Sequence, residues 1–207
     1  MPEPSAERET SRQKISRLEA ENKVLKVQLA EAIKESGIDS LTGLPNRKFL
    51  SMELERQLAL VSREGGCVAV AIIDLDEFKK VNDTYGHPQG DAVLKGFANR
   101  ANLHTRPSDI FGRWGGEEFL AVFSAPEGMN VEEVKIIILK RYHEMLIDLN
   151  RTGKKDDFIP QTISIGCVVI DSKFDSSLLE VIAAADAELY KSKTNGKNMT
   201  SIVSYPN

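Results

Sequence analysis

The chain alternates between stretches in which apolar residues recur every three to four positions and short runs in which they are continuous. From Arg12 to Ser36 there is no glycine or proline, and a seven-residue repeat is present. Ile15, Asn22 and Leu29 occupy one core position, and Leu18, Leu25 and Ala32 the other. In a parallel pair Lys14 would meet Glu19 of a partner helix and Glu21 would meet Lys26, while a core asparagine fixes register and two-strandedness. The pattern predicts a dimerising helix over residues 12–38, ended by Gly37, behind a polar, disordered tail at residues 1–11. An amphipathic helix lying on its own domain is the alternative.

Beyond Gly37 the pattern changes. A turn-rich connector, Asp39 to Arg47, leads into a helix over 47–63 with Phe49, Leu50, Leu54, Leu58 and Val61 on one face. Cys67 to Ile73 is unbroken apolar sequence, the mark of a central strand buried on both faces. It runs into Asp74-Leu75-Asp76, and alternation puts the two aspartates on one face. A short helical turn over 78–81, a loop over 82–90 and a helix over 91–104 follow. Ile110 to Phe123 reads as a hairpin with Gly115-Gly116 at its tip. A long amphipathic helix over 131–149, a polar loop over 151–157, a strand over 159–170, a helix over 176–193 and a last strand over 200–205 complete the reading. This order predicts an α+β domain over residues 39–207, a mixed central sheet with helices packed on it.

Composition narrows the function. A formal net charge of -4 leaves no basic footprint for nucleic acid. No apolar run approaches the roughly 20 residues of a membrane span, and the polar, acidic amino terminus is no secretory signal. Cys67 and Cys167, both in apolar runs, read as buried free thiols of a cytoplasmic protein. The three histidines fall in separate segments and make no metal cluster. His87 reads as structural, His104 and His143 as surface residues, and Trp114 as a packing residue.

The chemistry concentrates at Arg113-Trp114-Gly115-Gly116-Glu117-Glu118-Phe119. Two carboxylates at a glycine turn pack poorly but suit a divalent cation carrying phosphates, since Mg²⁺ takes hard oxygen ligands and keeps water and substrate oxygens in its shell. Singly, each candidate has an ordinary reading: solvated acids on a turn, a turn at Asn82-Asp83, an N-cap at Asp91, a solvated helix end at Lys193 and Lys197.

In order along the chain the motifs resemble one family. The GGEEF run is similar to the signature of GGDEF-domain diguanylate cyclases, in the variant with Glu in the third slot. Asp39-Ser40-Leu41-Thr42-Gly43-Leu44-Pro45-Asn46-Arg47 looks like the family's opening turn. Ile73 to Asp83, Gly86-His87-Pro88-Gln89-Gly90-Asp91, Thr162 to Gly166 and Ala184 to Tyr190 resemble its further blocks, so the likeness spans 39–198. It implies a fold like the palm of nucleotide cyclases and polymerases. The implied reaction condenses two GTP into cyclic di-GMP and two pyrophosphates across a homodimer.

Carried over by residue, Asp74, Glu117 and, with less support, Glu118 would hold Mg²⁺ (or Mn²⁺) together with the Leu75 carbonyl. Glu117 would also be the base for the 3′-hydroxyl. Asn82 and Asp91 would read guanine. Phe78, Lys79, Lys193 and Lys197 would hold phosphates, and Gly115 and Gly116 would let the hairpin pass the nucleotide. Arg106-Pro107-Ser108-Asp109 looks like the family's RxxD site for inhibition by product, although a plain surface loop has the same look. Lys197 stands where the family usually has Arg, which removes bidentate phosphate binding. Glu77 and Trp114 occupy variable slots. Asp91 favours cyclic di-GMP, since relatives making a hybrid GMP–AMP product have Ser there. A silent domain that binds nucleotide without turnover is the rival of another class.

Overall fold

The structure is a computed structural model, and it describes residues 14–18, 20–23, 25, 37–125, 128–151, 161–172 and 177–205. It divides into two units, residues 1–36 and 37–207. In the first, every described residue is helical and exposed. Ile15 and Leu25 leave more than half of their surface open, and Arg17 lies 4.0 Å from Glu21. The tail at 1–11, the repeat positions Leu29 and Ala32, the charges Glu19 and Lys26, and the loop at 152–157 lie outside the described residues.

In the second unit the elements are α1 (Arg47–Glu64), β1 (Cys67–Leu75), α2 (Phe78–Tyr85), α3 (His87–Leu103), β2 (Ile110–Gly115), β3 (Glu118–Ser124), α4 (Val131–Arg151), β4 (Ile163–Asp171), α5 (Leu178–Thr194) and β5 (Thr200–Tyr205). The sheet order is β2-β3-β1-β4-β5. All pairs are antiparallel except β4 with β5, so the sheet is mixed, as the element order predicts.

Strand alternation sorts β1 into two cores. Cys67, Ala69, Ala71, Ile73 and Leu75 pack with Val93, Leu94 and Phe97 of α3 and with Val134, Ile138 and Tyr142 of α4. Val68, Val70 and Ile72 face Leu50, Leu54 and Val61 of α1 and Val181, Ala185 and Leu189 of α5. Burial on both faces explains why β1 carries no polar residue before Asp74. Helix starts are chemically marked. Asn46 accepts from the Phe49 N–H at α1, and Ser177 with Glu180 forms a capping box at α5.

Three boundaries differ from the sequence reading. The helix expected to stop at Val81 continues to Tyr85, so Asn82 is helical rather than in a loop. The next helix begins at His87, not Asp91, with Pro88 in its first turn. Gly86, at φ 82°, provides the break, and its N–H closes on the Asn82 carbonyl. The short polar run 82–90 hides two abutting helices because neither buries a full apolar stripe there. The strand expected from 159 begins at Ile163, the residue paired with Leu75 at the end of β1, while Gln161 and Thr162 stand outside the ladder. Residues 159 and 160 lie outside the described residues. Both cysteines are free and buried. No described helix is long and apolar enough to cross a membrane.

Candidate active site

Asp74 sits on the α5 side of the sheet, where β1 leaves the core. Register places it opposite Glu118 of β3 and Ser164 of β4. Its Oδ2 lies 2.8 Å from Lys193 Nζ on α5. Burial pushes the Asp74 pKa up; Lys193 opposes the rise, and Glu117 and Asp76 add to it. Burial also raises Glu118, and the charge of Asp74 raises it further. Three carboxylates thus crowd one partly buried lysine, a field that favours a second positive charge. Among the described residues no three His, Cys, Asp or Glu side chains form a ready cation cage. Mg²⁺ does not require one, because one or two carboxylates with substrate phosphates and water suffice. The donor set of Asp74, Glu117 and Glu118 therefore fits a hard divalent ion.

The β2–β3 turn aims the acids. Gly116 adopts φ 53°, a left-handed value that primed hairpin turns require. A Cβ on Gly115 or Gly116 would meet nothing within 4 Å, so the tip is open to a ligand. Arg113 fastens it, donating from Nε and Nη2 to the Gly116 carbonyl at 3.0 and 2.7 Å. The same guanidinium reaches the Asp39 carboxylate at 3.3 Å. Asp39 also accepts from the Thr42 N–H and hydroxyl at 2.9 and 2.7 Å. Burial works against the Asp39 charge, but the Thr42 and Arg113 bonds outweigh it and hold the carboxyl below its ordinary range. Trp114 is a packing residue, buried with the Arg47 guanidinium 4.6 Å over its ring.

Below the acids, the chain turns through Asp76 and Glu77 into α2. Asp76 is buried and accepts from the Thr162 and Ser164 hydroxyls at 2.7 and 2.6 Å and from the Asn198 N–H at 3.0 Å. Ser164 shares the sheet face of Asp74, so the expected common face of Asp74 and Asp76 is found. Glu77, Lys197 and Asn198 are the non-glycine residues with positive φ among the described residues. All three adjoin Asp76: one follows it, one bonds to it, and Lys197 pairs with Glu77. Strained backbone at one spot marks a place where geometry outranks stability. Glu77 gives α2 no side-chain cap. The first-turn N–H groups, those of Phe78 and Lys79, are thereby left for an outside acceptor such as phosphate. Phe78 is buried and Lys79 exposed.

On the far side of α2, Asn82 is half-buried, and Asp91 is exposed on α3. Asp91 is interior to its helix, with Gly86 at the N-cap, so it is not itself a cap. The structure thus brings Asp74, Glu117, Glu118 and Lys193 together and links Lys197 to the same bend through Glu77. Arg106 and Asp109 lie apart, before β2. Arg106 is exposed. The Asp109 side chain is buried, its Oδ2 taking the Arg106 N–H at 3.0 Å and Arg141 Nη1 at 2.8 Å. His87 and His104 stand in α3 and just after it, and the His143 side chain lies outside the described residues. Sequence reasoning assigned no role to Arg113, Asp76 or Arg141. The signal for Arg113 was its place two residues before the Gly115-Gly116 turn; for Asp76 it was the alternation with Asp74. Nothing local marks Arg141.

A family model described as "Diguanylate cyclase, GGDEF domain" matches residues 36–199. With strand, hairpin and acids placed as above, the chain belongs to the GGDEF family. Relatives include diguanylate cyclase DgcP of Pseudomonas aeruginosa, 30% identical over 92% of this chain and 27% of that protein. Another is probable diguanylate cyclase DgcT of Escherichia coli, 39% identical over 77% of this chain and 34% of the relative. The chain spans about a third or less of their length. The coiled coil and GGDEF domain of DgcB from Caulobacter crescentus, solved in complex with c-di-GMP, superposes with a TM-score of 0.71 at 27% identity, covering 92% of this chain and 97% of that one. Diguanylate cyclases of this family are generally dependent on divalent metal.

Proposed function

We propose that this chain is the catalytic part of a diguanylate cyclase, condensing two GTP into cyclic di-GMP with release of two pyrophosphates. The carrying observation is the convergence of Asp74 and Glu118 across β1 and β3, beside the Glu117 turn and Lys193. Asp74, Glu117, Glu118 and the Leu75 carbonyl hold Mg²⁺, with Mn²⁺ as the alternative. The ion, when bound, neutralises phosphate charge and draws electrons from the α-phosphorus. The side chains do the rest. Glu117 accepts the proton of the 3′-hydroxyl as its oxygen bonds to the α-phosphorus of the facing nucleotide, and the bond to the pyrophosphate oxygen breaks. The N–H groups of Phe78 and Lys79, with the Lys79, Lys193 and Lys197 side chains, hold the leaving phosphates. Asn82 and Asp91 read guanine, and Gly115 and Gly116 give the nucleotide room.

One domain carries one GTP, so the reaction needs two. We place the homodimer contact in the N-terminal helix, whose described apolar residues are exposed; pairing there raises the concentration of the second domain. Product feedback is assigned to Arg106 and Asp109. The exposed Arg106 grips phosphate, and Asp109 with Arg141 orders the loop that carries it. The solved complexes of DgcB with c-di-GMP support a product-binding role for this fold.

The test is mass spectrometry after incubation with GTP and Mg²⁺, with and without ATP. Cyclic di-GMP that is unaffected by ATP is the expected product, and Glu117→Gln should lower its rate by a factor of a hundred or more. GTP binding without product in a verified dimer would overturn the reading in favour of a silent nucleotide receptor.

A further inference from the structure

Gly90 occupies the fourth position of α3, and nothing about its backbone demands glycine. Positive φ, which would favour glycine, is found at eight other glycines among the described residues but not here. Within a helix, glycine costs roughly 0.5–1 kcal/mol relative to alanine. Some contact must therefore forbid a side chain. A Cβ at Gly90 would stand 3.0 Å from Asn82 Cγ, closer still to Asn82 Oδ1, and 3.2 Å from Phe78 Cζ. Real Cβ atoms essentially never approach within 3.0 Å of a neighbour. The obstructing atoms belong to the side chains of Asn82 and Phe78, not to backbone, so a methyl group at position 90 would swing away the Asn82 amide, its nearest obstacle, and leave α2 and α3 in place. Gly90 is buried and Asn82 half-buried, with α2 and α3 meeting at Gly86. The bare Cα of Gly90 is the wall against which the amide of Asn82 rests.

We infer that Gly90 is a positioning residue for base selection: by carrying no side chain it holds the Asn82 amide in the orientation that recognises guanine. The inference rests on the cyclase reading, which makes Asn82 a guanine ligand. Asp91 follows Gly90 directly, so the same helical turn both orients one guanine-reading side chain and supplies the other. Asn82 on α2 and Asp91 on α3 are thus tied together through Gly90, which keeps the spacing that recognition of a planar base edge requires.

The experiment compares the full chain with Gly90→Ala, Asn82→Ala and the double variant. The readouts are GTP and ATP competition against a fluorescent guanosine triphosphate, turnover, and thermal melting. Gly90→Ala should raise the GTP dissociation constant and KM by about tenfold, the size of one lost hydrogen bond to a buried base. It should narrow the GTP-over-ATP preference by a similar factor, leave kcat within about twofold of the unaltered chain, and melt cooperatively. In the Asn82→Ala background the alanine at 90 has no amide to displace, so it should add nothing further. Full GTP preference in Gly90→Ala, or the same penalty with and without Asn82, would overturn the inference alone. An unaltered chain that binds no GTP would overturn the cyclase reading, and this inference with it.

Discussion

Replacing Gly166 with alanine tests how α5 is seated. Gly166 lies at the centre of β4, opposite Ile72 of β1 and beside Ser201 of β5. A Cβ there would stand 2.6 Å from Leu189 Cα and closer still to the Leu189 nitrogen and the Ala185 carbonyl oxygen. These are backbone atoms, so no rotamer change relieves the clash, and α5 must retreat by an ångström or so to regain ordinary contact. A gap of that size forfeits a quarter to a half of each dispersion contact. Here it opens beneath Val181, Ala185 and Leu189, all at most 2% exposed. Overpacking costs about 1–3 kcal/mol, and a backbone obstruction belongs at the top of that range. About 3 kcal/mol lowers Tm by ~6–12 °C in a protein of this size. The same retreat draws Lys193 away from Asp74, so KM for GTP should rise in the fraction that remains folded. Differential scanning calorimetry and initial rates below the transition read both effects. A Tm loss under about 2 °C would show that α5 is not held by close approach at Gly166.

Glu118→Gln should stabilise the protein. Burial and the neighbouring Asp74 raise the Glu118 pKa in the folded state, so the folded protein binds more protons than the unfolded one across that interval. Stability is therefore lost as pH rises through the interval and stays lower at neutral pH; the glutamine variant should melt higher near pH 7 and match the parent below about pH 4. A lower melting point at neutral pH would contradict the crowding of charge described here. Asp76→Ala should cost about 2–4 kcal/mol, since it strips the acceptor from two hydroxyls and the Asn198 N–H, and should weaken binding of GTP more than of guanosine. Equal weakening of both ligands would separate Asp76 from the phosphates.

What the sequence shows and what it hides follow from the range of the interactions. Strands β1 and β5, the hairpin, and helices α1 and α5 are legible because each buries a continuous run or a periodic stripe, or is bounded by glycine. The α2–α3 corner is not legible: Asn82 to Gly90 is polar and rich in loop-forming residues, and its helices are short of apolar markers. The pairing of Asp74 with Glu118 is implied by two strands ending in acids, but the register that makes them opposite arises only when the sheet assembles. The Asp109–Arg141 ion pair joins elements 32 residues apart and leaves no local pattern. Gly90 stands in plain view, yet its reason is a clash that exists only in three dimensions.

The reach of Arg113 has a mechanical meaning. One rigid, planar cation spans from the Gly116 carbonyl, next to Glu117, to Asp39 near the head of the domain. The parallel bridge of Asn46 to Arg113 and the Arg113 N–H to Pro45 carbonyl bond, at 2.9 Å, reinforce that strut. The glycine turn is thereby braced against the Asp39 loop by a polar strut that lies outside both hydrophobic clusters.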